Sequence, residues 1–98
     1  MATEWNVEFR AVARRDFKKL DEDVQQDAAQ SIADLIEDPY PRDCIELENQ
    51  PGLFRIYFFK NQYRIVYSVS QKQRKLIVER IRPRGTAYIG LEKKKPRA

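Results

Sequence analysis

Arg80, Arg82 and Arg84 recur at two-residue spacing in "ERIRPRGTAY", with Gly85 and Tyr88 just beyond them. Guanidiniums this close repel one another unless an anion lies between them. A planar guanidinium grips a carboxylate or phosphate through two parallel N–H bonds, so three in a row mark an anion site. The rest of the chain removes most rival chemistries. Histidine, the usual acid–base group near neutral pH, is absent. Cys44 is the single cysteine, and no base lies near it in sequence to activate a thiol. There is no glycine-rich phosphate loop. The second half holds only Glu79 and Glu92 as carboxylates, too few for a metal-dependent nuclease, so the metal expectation is none. What remains is arginine, lysine and tyrosine. Arginine can clamp a phosphate and stabilise the charge that develops on a pentavalent phosphorus. Tyrosine can exchange a proton or stack on a base. That set suits RNA, which carries its own nucleophile in the 2′-hydroxyl; DNA lacks this group.

The charge distribution supports a polyanionic partner. The net charge of +4 conceals two unlike halves. Residues 1–50 carry six Lys/Arg against thirteen Asp/Glu, a balance of −7, and residues 51–98 carry thirteen against two, a balance of +11. Such asymmetry points to an acidic partner or nucleic acid for the second half. For any one arginine the alternative is an internal pair with a carboxylate of the acidic half, such as Glu46 or Glu48.

At 98 residues with 42% apolar side chains, the chain suits one small domain with a core of its own. One cysteine rules out an internal disulfide, and a reducing cytoplasm is the natural setting. No apolar run approaches the roughly 18–20 residues of a membrane span, and no signal-type apolar segment follows Met1. Residues 1–92 form the expected domain, and 93–98, "KKKPRA", a basic tail.

The elements that must position these groups are legible from periodicity. "TEWNVEFR" alternates, with Trp5, Val7 and Phe9 on one side, and predicts a half-buried strand. Ala13, Phe17 and Leu20 form the apolar stripe of a first helix over 10–20, with Arg14, Arg15, Lys18 and Lys19 mostly off that stripe. Asp21 is a suitable N-cap for a second helix over 22–38, whose stripe is Val24, Ala28, Ile32 and Leu35/Ile36. Pro39 and Pro41 stop it. From Leu53 the period becomes that of strands. "LFRIYFFK" and "YRIVYSVS" flank Asn61-Gln62 in a tight hairpin, and "KLIVERIR" adds a third strand that Pro83 ends. The fold class is α+β: a strand, a helix pair packed on one face, then an antiparallel meander of three or more strands. Side chains alternate along a strand. Placing Phe54, Ile56, Phe58, Ile65, Tyr67 and Val69 against the helices sends Arg55, Tyr57 and Arg64 to the open face, with Arg82 or Arg84 leaving the third strand at its edge.

"LENQPGLFRIYFFKNQYRIVYSV…LIVERIRPRGTAY" resembles the RelE-type toxins of bacterial toxin–antitoxin pairs, within the RelE/ParE superfamily. The likeness runs from Trp5 to about Leu91 and is sharpest in "YRIVYSV" and "RIRPRGTAY". It implies a compact α+β domain that cleaves mRNA in the ribosomal A site without a metal or other cofactor, leaves a 2′,3′-cyclic phosphate, and is blocked by a cognate acidic antitoxin. By matching position, Arg55, Arg64, Arg84 and Tyr88 are the catalytic candidates. Arg64 corresponds to the arginine at the scissile phosphate, and Tyr88 to the tyrosine that stacks on a base or assists proton transfer. Tyr57, Lys60 and Arg82 are the substrate-binding candidates; Tyr57 stands where the family pattern has a second lysine, which leaves the general base to Tyr57, Tyr88 or a basic neighbour. Arg14, Arg15, Lys18 and Lys19 resemble the surface such toxins lay against ribosomal RNA. Two other readings fit the same scaffold: a ParE-type toxin that poisons DNA gyrase, or a catalytically inactive nucleic-acid-binding module.

Overall fold

The alternating segments after Leu53 fold as strands, and the two stripes before Pro39 fold as helices. The computed structural model describes residues 5–85. In chain order the elements are β1 (Asn6–Phe9), α1 (Ala11–Lys18), α2 (Glu22–Glu37), β2 (Ile45–Glu46), β3 (Leu53–Phe58), β4 (Tyr63–Ser70) and β5 (Lys75–Pro83). The five strands form one sheet in the order β1-β5-β4-β3-β2. β3, β4 and β5 make the expected antiparallel meander, and the short β2 adds an antiparallel edge beside β3. At the other edge β1 lies parallel to β5, with Val7 opposite Leu76 and Phe9 opposite Val78. That parallel pair requires a long connection, which the helices and the meander supply.

Both helices lie on one face because both stripes need the same apolar surface. Ala13 of α1 and Val24, Ala28, Ile32 and Leu35 of α2 form one buried cluster with Ile56, Phe58, Ile65, Tyr67, Leu76, Val78 and Ile81. Phe17, Leu20 and Phe54 pack around it. The expected helix ranges are trimmed at their ends, and Asp21 takes the N-cap position with no side-chain cap bond; the Val24 N–H donates instead to the Asp23 carboxylate. β1 is less buried than its alternation implies, since Val7 at the sheet edge is 37% exposed. Among the described residues no helix is long and apolar enough to cross a membrane.

Tyr67 is fully buried, and its hydroxyl donates to the Pro39 carbonyl at 2.7 Å. This bond fastens the loop after α2 to the middle strand, and burial pushes the phenol far above its ordinary value. Tyr67→Phe removes the donor and leaves a carbonyl unpaired. It is expected to lower stability by about 1–2 kcal/mol, read as a reduced urea midpoint at unchanged slope.

The hairpin between β3 and β4 differs from the expected Asn61-Gln62 turn. Phe58 pairs with Tyr63, which leaves a four-residue loop, Phe59 to Gln62. Phe59, Lys60 and Asn61 all take left-handed backbone angles, with φ of 53°, 56° and 65°. Side chains rarely adopt that region, so tertiary contacts must hold it. Phe59 packs against the core cluster and sits edge-on to Tyr63, and its N–H donates to the Asp27 carboxylate of α2 at 2.7 Å.

Candidate nucleic-acid interface on the open sheet face

Register explains how the arginines gather. Directly paired residues of neighbouring strands point to the same face. Tyr57 pairs with Arg64, and Arg64 with Arg82; beside them Arg55 pairs with Val66, and Val66 with Arg80. Two adjacent rows on the face away from the helices therefore read Tyr57–Arg64–Arg82 and Arg55–Val66–Arg80. Simple alternation would have buried Arg80, because Leu76 and Val78 face the core two residues apart. A β-bulge prevents this. Tyr67 pairs with Val78 and Val66 with Arg80, so Glu79 is the extra residue, and the next core position is Ile81.

Tyr57 is the centre of the cluster. Arg64 Nη2 donates to its hydroxyl at 3.0 Å. The guanidinium carbons of Arg55, Arg64 and Arg84 lie 4.9, 4.7 and 6.0 Å from its ring centroid. These are cation–π distances, and they stack three like charges around one electron-rich ring. Partial desolvation works to raise the phenol pKa, but the charges of Arg55, Arg64 and Arg84, with a hydrogen bond from Arg55, outweigh it and hold the group below its ordinary value. Arg84 arrives from β5 because its N–H donates to the Gln62 carbonyl at 2.9 Å, docking the strand end against the hairpin. Gly85 follows with φ +92°, a left-handed turn that favours glycine.

Arg82 shares the row but has a different partner. Its Nε lies 3.1 Å from both carboxylate oxygens of Asp16, and the Ile81 N–H donates to Asp16 Oδ2 at 3.1 Å. Asp16 is the one buried charged residue among those described. It sits where β1 has ended and the outer edge of β5 would otherwise present an open amide. Sequence reasoning missed this residue, although an acid inside the basic run "ARRDFKK" was a visible signal. Glu79 is likewise committed, accepting from Ser68 Oγ at 3.2 Å and pairing with Arg10 at 3.3 Å. Neither Glu46 nor Glu48 pairs with Arg55 or Arg84 among the described residues; Glu46 accepts from the Gly52 N–H at 2.9 Å.

Of the sequence candidates, the structure brings Arg55, Tyr57, Arg64 and Arg84 together and places Arg82 beside them, held by Asp16. Lys60 lies elsewhere, lining a groove with Asp23, Gln26, Asp27 and Phe59 on the α2 side of the hairpin. Arg14, Arg15, Lys18 and Lys19 are exposed along or just after α1, the helix whose Asp16 reaches Arg82. Tyr88 and the 93–98 segment lie outside the described residues. Burial, reinforced by the neighbouring charge of Arg82, draws the Arg80 guanidinium below its ordinary value. Among the described residues no three metal-ligating side chains cluster.

A helix pair on one face of such a sheet is the fold of RelE-type toxins. Residues 7–88 match the family described as the ParE toxin of the type II toxin–antitoxin system, parDE, and the chain belongs to that family, within the RelE/ParE superfamily. The toxin–antitoxin complex RelBE2 of Mycobacterium tuberculosis is 26% identical, over 84% of this chain and 100% of that one, with a TM-score of 0.68. The archaeal RelE–RelB complex of Pyrococcus horikoshii is 25% identical, over 85% and 98%, with a TM-score of 0.68. A YoeB/ParE toxin of Agrobacterium tumefaciens shares the fold at 17% identity, over 80% and 96%, with a TM-score of 0.71. No match is found among curated protein sequences.

Proposed function

We propose that this toxin is a metal-independent endoribonuclease that cuts mRNA on the ribosome, with the RNA 2′-hydroxyl as nucleophile. The observation that carries the reading is the convergence of Arg55, Arg64 and Arg84 around Tyr57 on a sheet face the helices leave open. Guanidiniums from different strands can hold one phosphate from several directions, and they favour the more highly charged phosphorane over the diester. The exposed basic residues at α1 offer a second contact for ribosomal RNA. Tyr88 completes the catalytic set in this reading, Arg82 serves binding beside the cluster, Lys60 on the α2 side of the hairpin stands outside it, and the site of action is the cytoplasm. A cognate acidic antitoxin, like the RelB partners in the related complexes, covers the basic face and is ordered by binding it.

The test is purified protein added to programmed ribosomes. Cleavage in the A-site codon is expected, leaving a 2′,3′-cyclic phosphate, while naked message stays intact. The family match to ParE favours gyrase poisoning as the second reading. Intact mRNA together with gyrase-linked DNA breaks would establish that reading and remove the first.

A further inference from the structure

We propose that the Tyr57 hydroxyl is the general acid of cleavage, giving its proton to the 5′ oxygen that leaves the scissile phosphate. This rests on the endonuclease reading above. Arginine does not release its proton in proteins, so Arg55, Arg64 and Arg84 can orient and neutralise the phosphate but cannot protonate a leaving group. Arg80 and Arg82, in the same two rows, are limited in the same way. The carboxylates near this face are committed, Glu79 to Arg10 and Ser68 and Asp16 to Arg82 and Ile81. Among the described side chains of the cluster, Tyr57 alone has a proton that can leave and return.

Its geometry suits donation. Arg64 donates into the phenol oxygen at 3.0 Å, so that oxygen already serves as an acceptor and its own O–H is left to point at another group. The same bond stabilises the phenolate that donation leaves behind, as do Arg55 from β3 and Arg84 from the end of β5. The phenol is held below its ordinary value despite its partial desolvation. A phenol is also protonated around neutrality in its ordinary state, so it is ready without prior ionisation.

The step balances. The 2′ oxygen forms a bond to phosphorus and its proton passes to solvent. The bond from phosphorus to the 5′ oxygen breaks, and that oxygen takes the Tyr57 proton. The phenolate then regains a proton from solvent. The products are a 2′,3′-cyclic phosphate and a 5′-hydroxyl, with no net proton consumed.

The experiment compares wild type, Tyr57→Phe and Arg64→Ala on ribosomes programmed with two messages. One is ordinary RNA; the other has sulfur in place of the 5′ bridging oxygen at the scissile position. A thiolate leaves without help from an acid. Tyr57→Phe should cut ordinary RNA about 100-fold slower than wild type, yet cut the sulfur-containing RNA at close to the wild-type rate. Arg64→Ala should stay slow on both, because the phosphorane charge is unchanged. The wild-type rate on ordinary RNA should fall as pH rises through the ionisation of Tyr57, starting below the usual tyrosine range, and Tyr57→Phe should lose that fall. Tyr57→Phe equally slow on both messages, or as fast as wild type on ordinary RNA, overturns the assignment. A wild-type protein that cuts neither message removes the endonuclease reading itself. An ultraviolet titration of the free protein gives a readout independent of the ribosome: Tyr57→Phe should remove a tyrosinate step lying below the usual tyrosine range, and an unchanged curve counts against the proposal.

Discussion

Arg64→Ala is expected to lower the single-turnover rate of cleavage on programmed ribosomes by about 10²–10³. Arg64 occupies the middle of the Tyr57–Arg64–Arg82 row, half-buried, and reaches the Tyr57 hydroxyl at 3.0 Å. A charge fixed in that position is oriented before the substrate arrives, so it costs no reorganisation when negative charge grows on phosphorus. Ribosome binding should fall far less. That contact is spread over many basic groups, including Arg14, Arg15, Lys18 and Lys19, and each contributes one part of a salt-dependent sum. The signature is therefore a large loss in rate at saturating ribosome with a small change in half-saturation. If Arg64→Ala cleaves at the wild-type rate, the anion awaited by these arginines is not the scissile phosphate.

The second large effect falls on stability. Asp16→Ala is expected to destabilise the fold by about 2–4 kcal/mol. The loss has two parts: the Ile81 N–H is left without its acceptor at a buried edge, and the half-buried Arg82 loses its counter-charge. Asp16→Asn separates them. An amide oxygen can still accept from Ile81, but it brings no charge to Arg82 and can turn an NH₂ group towards it. The asparagine variant should recover part of the stability in urea unfolding. Its remaining loss should shrink in an Arg82→Ala background, because the carboxylate acts on the arginine directly. Additive losses would show that Asp16 matters only as an edge cap.

The sequence showed the layer arrangement well, because the 3.6-residue and two-residue apolar periods change cleanly between the Pro39 region and Leu53. It also placed Arg55, Tyr57 and Arg64 on one face, since alternation within β3 and β4 is unbroken. The parts it concealed depend on distant partners. β2 is two residues long and has no period to read. The parallel pairing of β1 with β5 joins opposite ends of the described chain, and nothing local specifies it. The hairpin looked like a two-residue turn because Asn61 is a plausible turn residue, yet Phe59 is drawn aside by the core and by Asp27. The bulge was in principle readable. Leu76, Val78 and Ile81 break the two-residue spacing once, and that single interruption is what a bulge leaves in a sequence.

That interruption works as a phase-setter for the strand. Everything after Glu79 inherits its side from one supernumerary residue, so the outward set Arg80, Arg82, Arg84 is fixed by counting as much as by residue identity. A one-residue deletion between Val78 and Ile81 would only remove the bulge and leave Ile81 inward and Arg82 outward by plain alternation. Loss of the bulge at unchanged length would instead turn the arginine file towards the helices and bring Ile81 out. At its present length the strand thus depends on Glu79 staying out of the ladder.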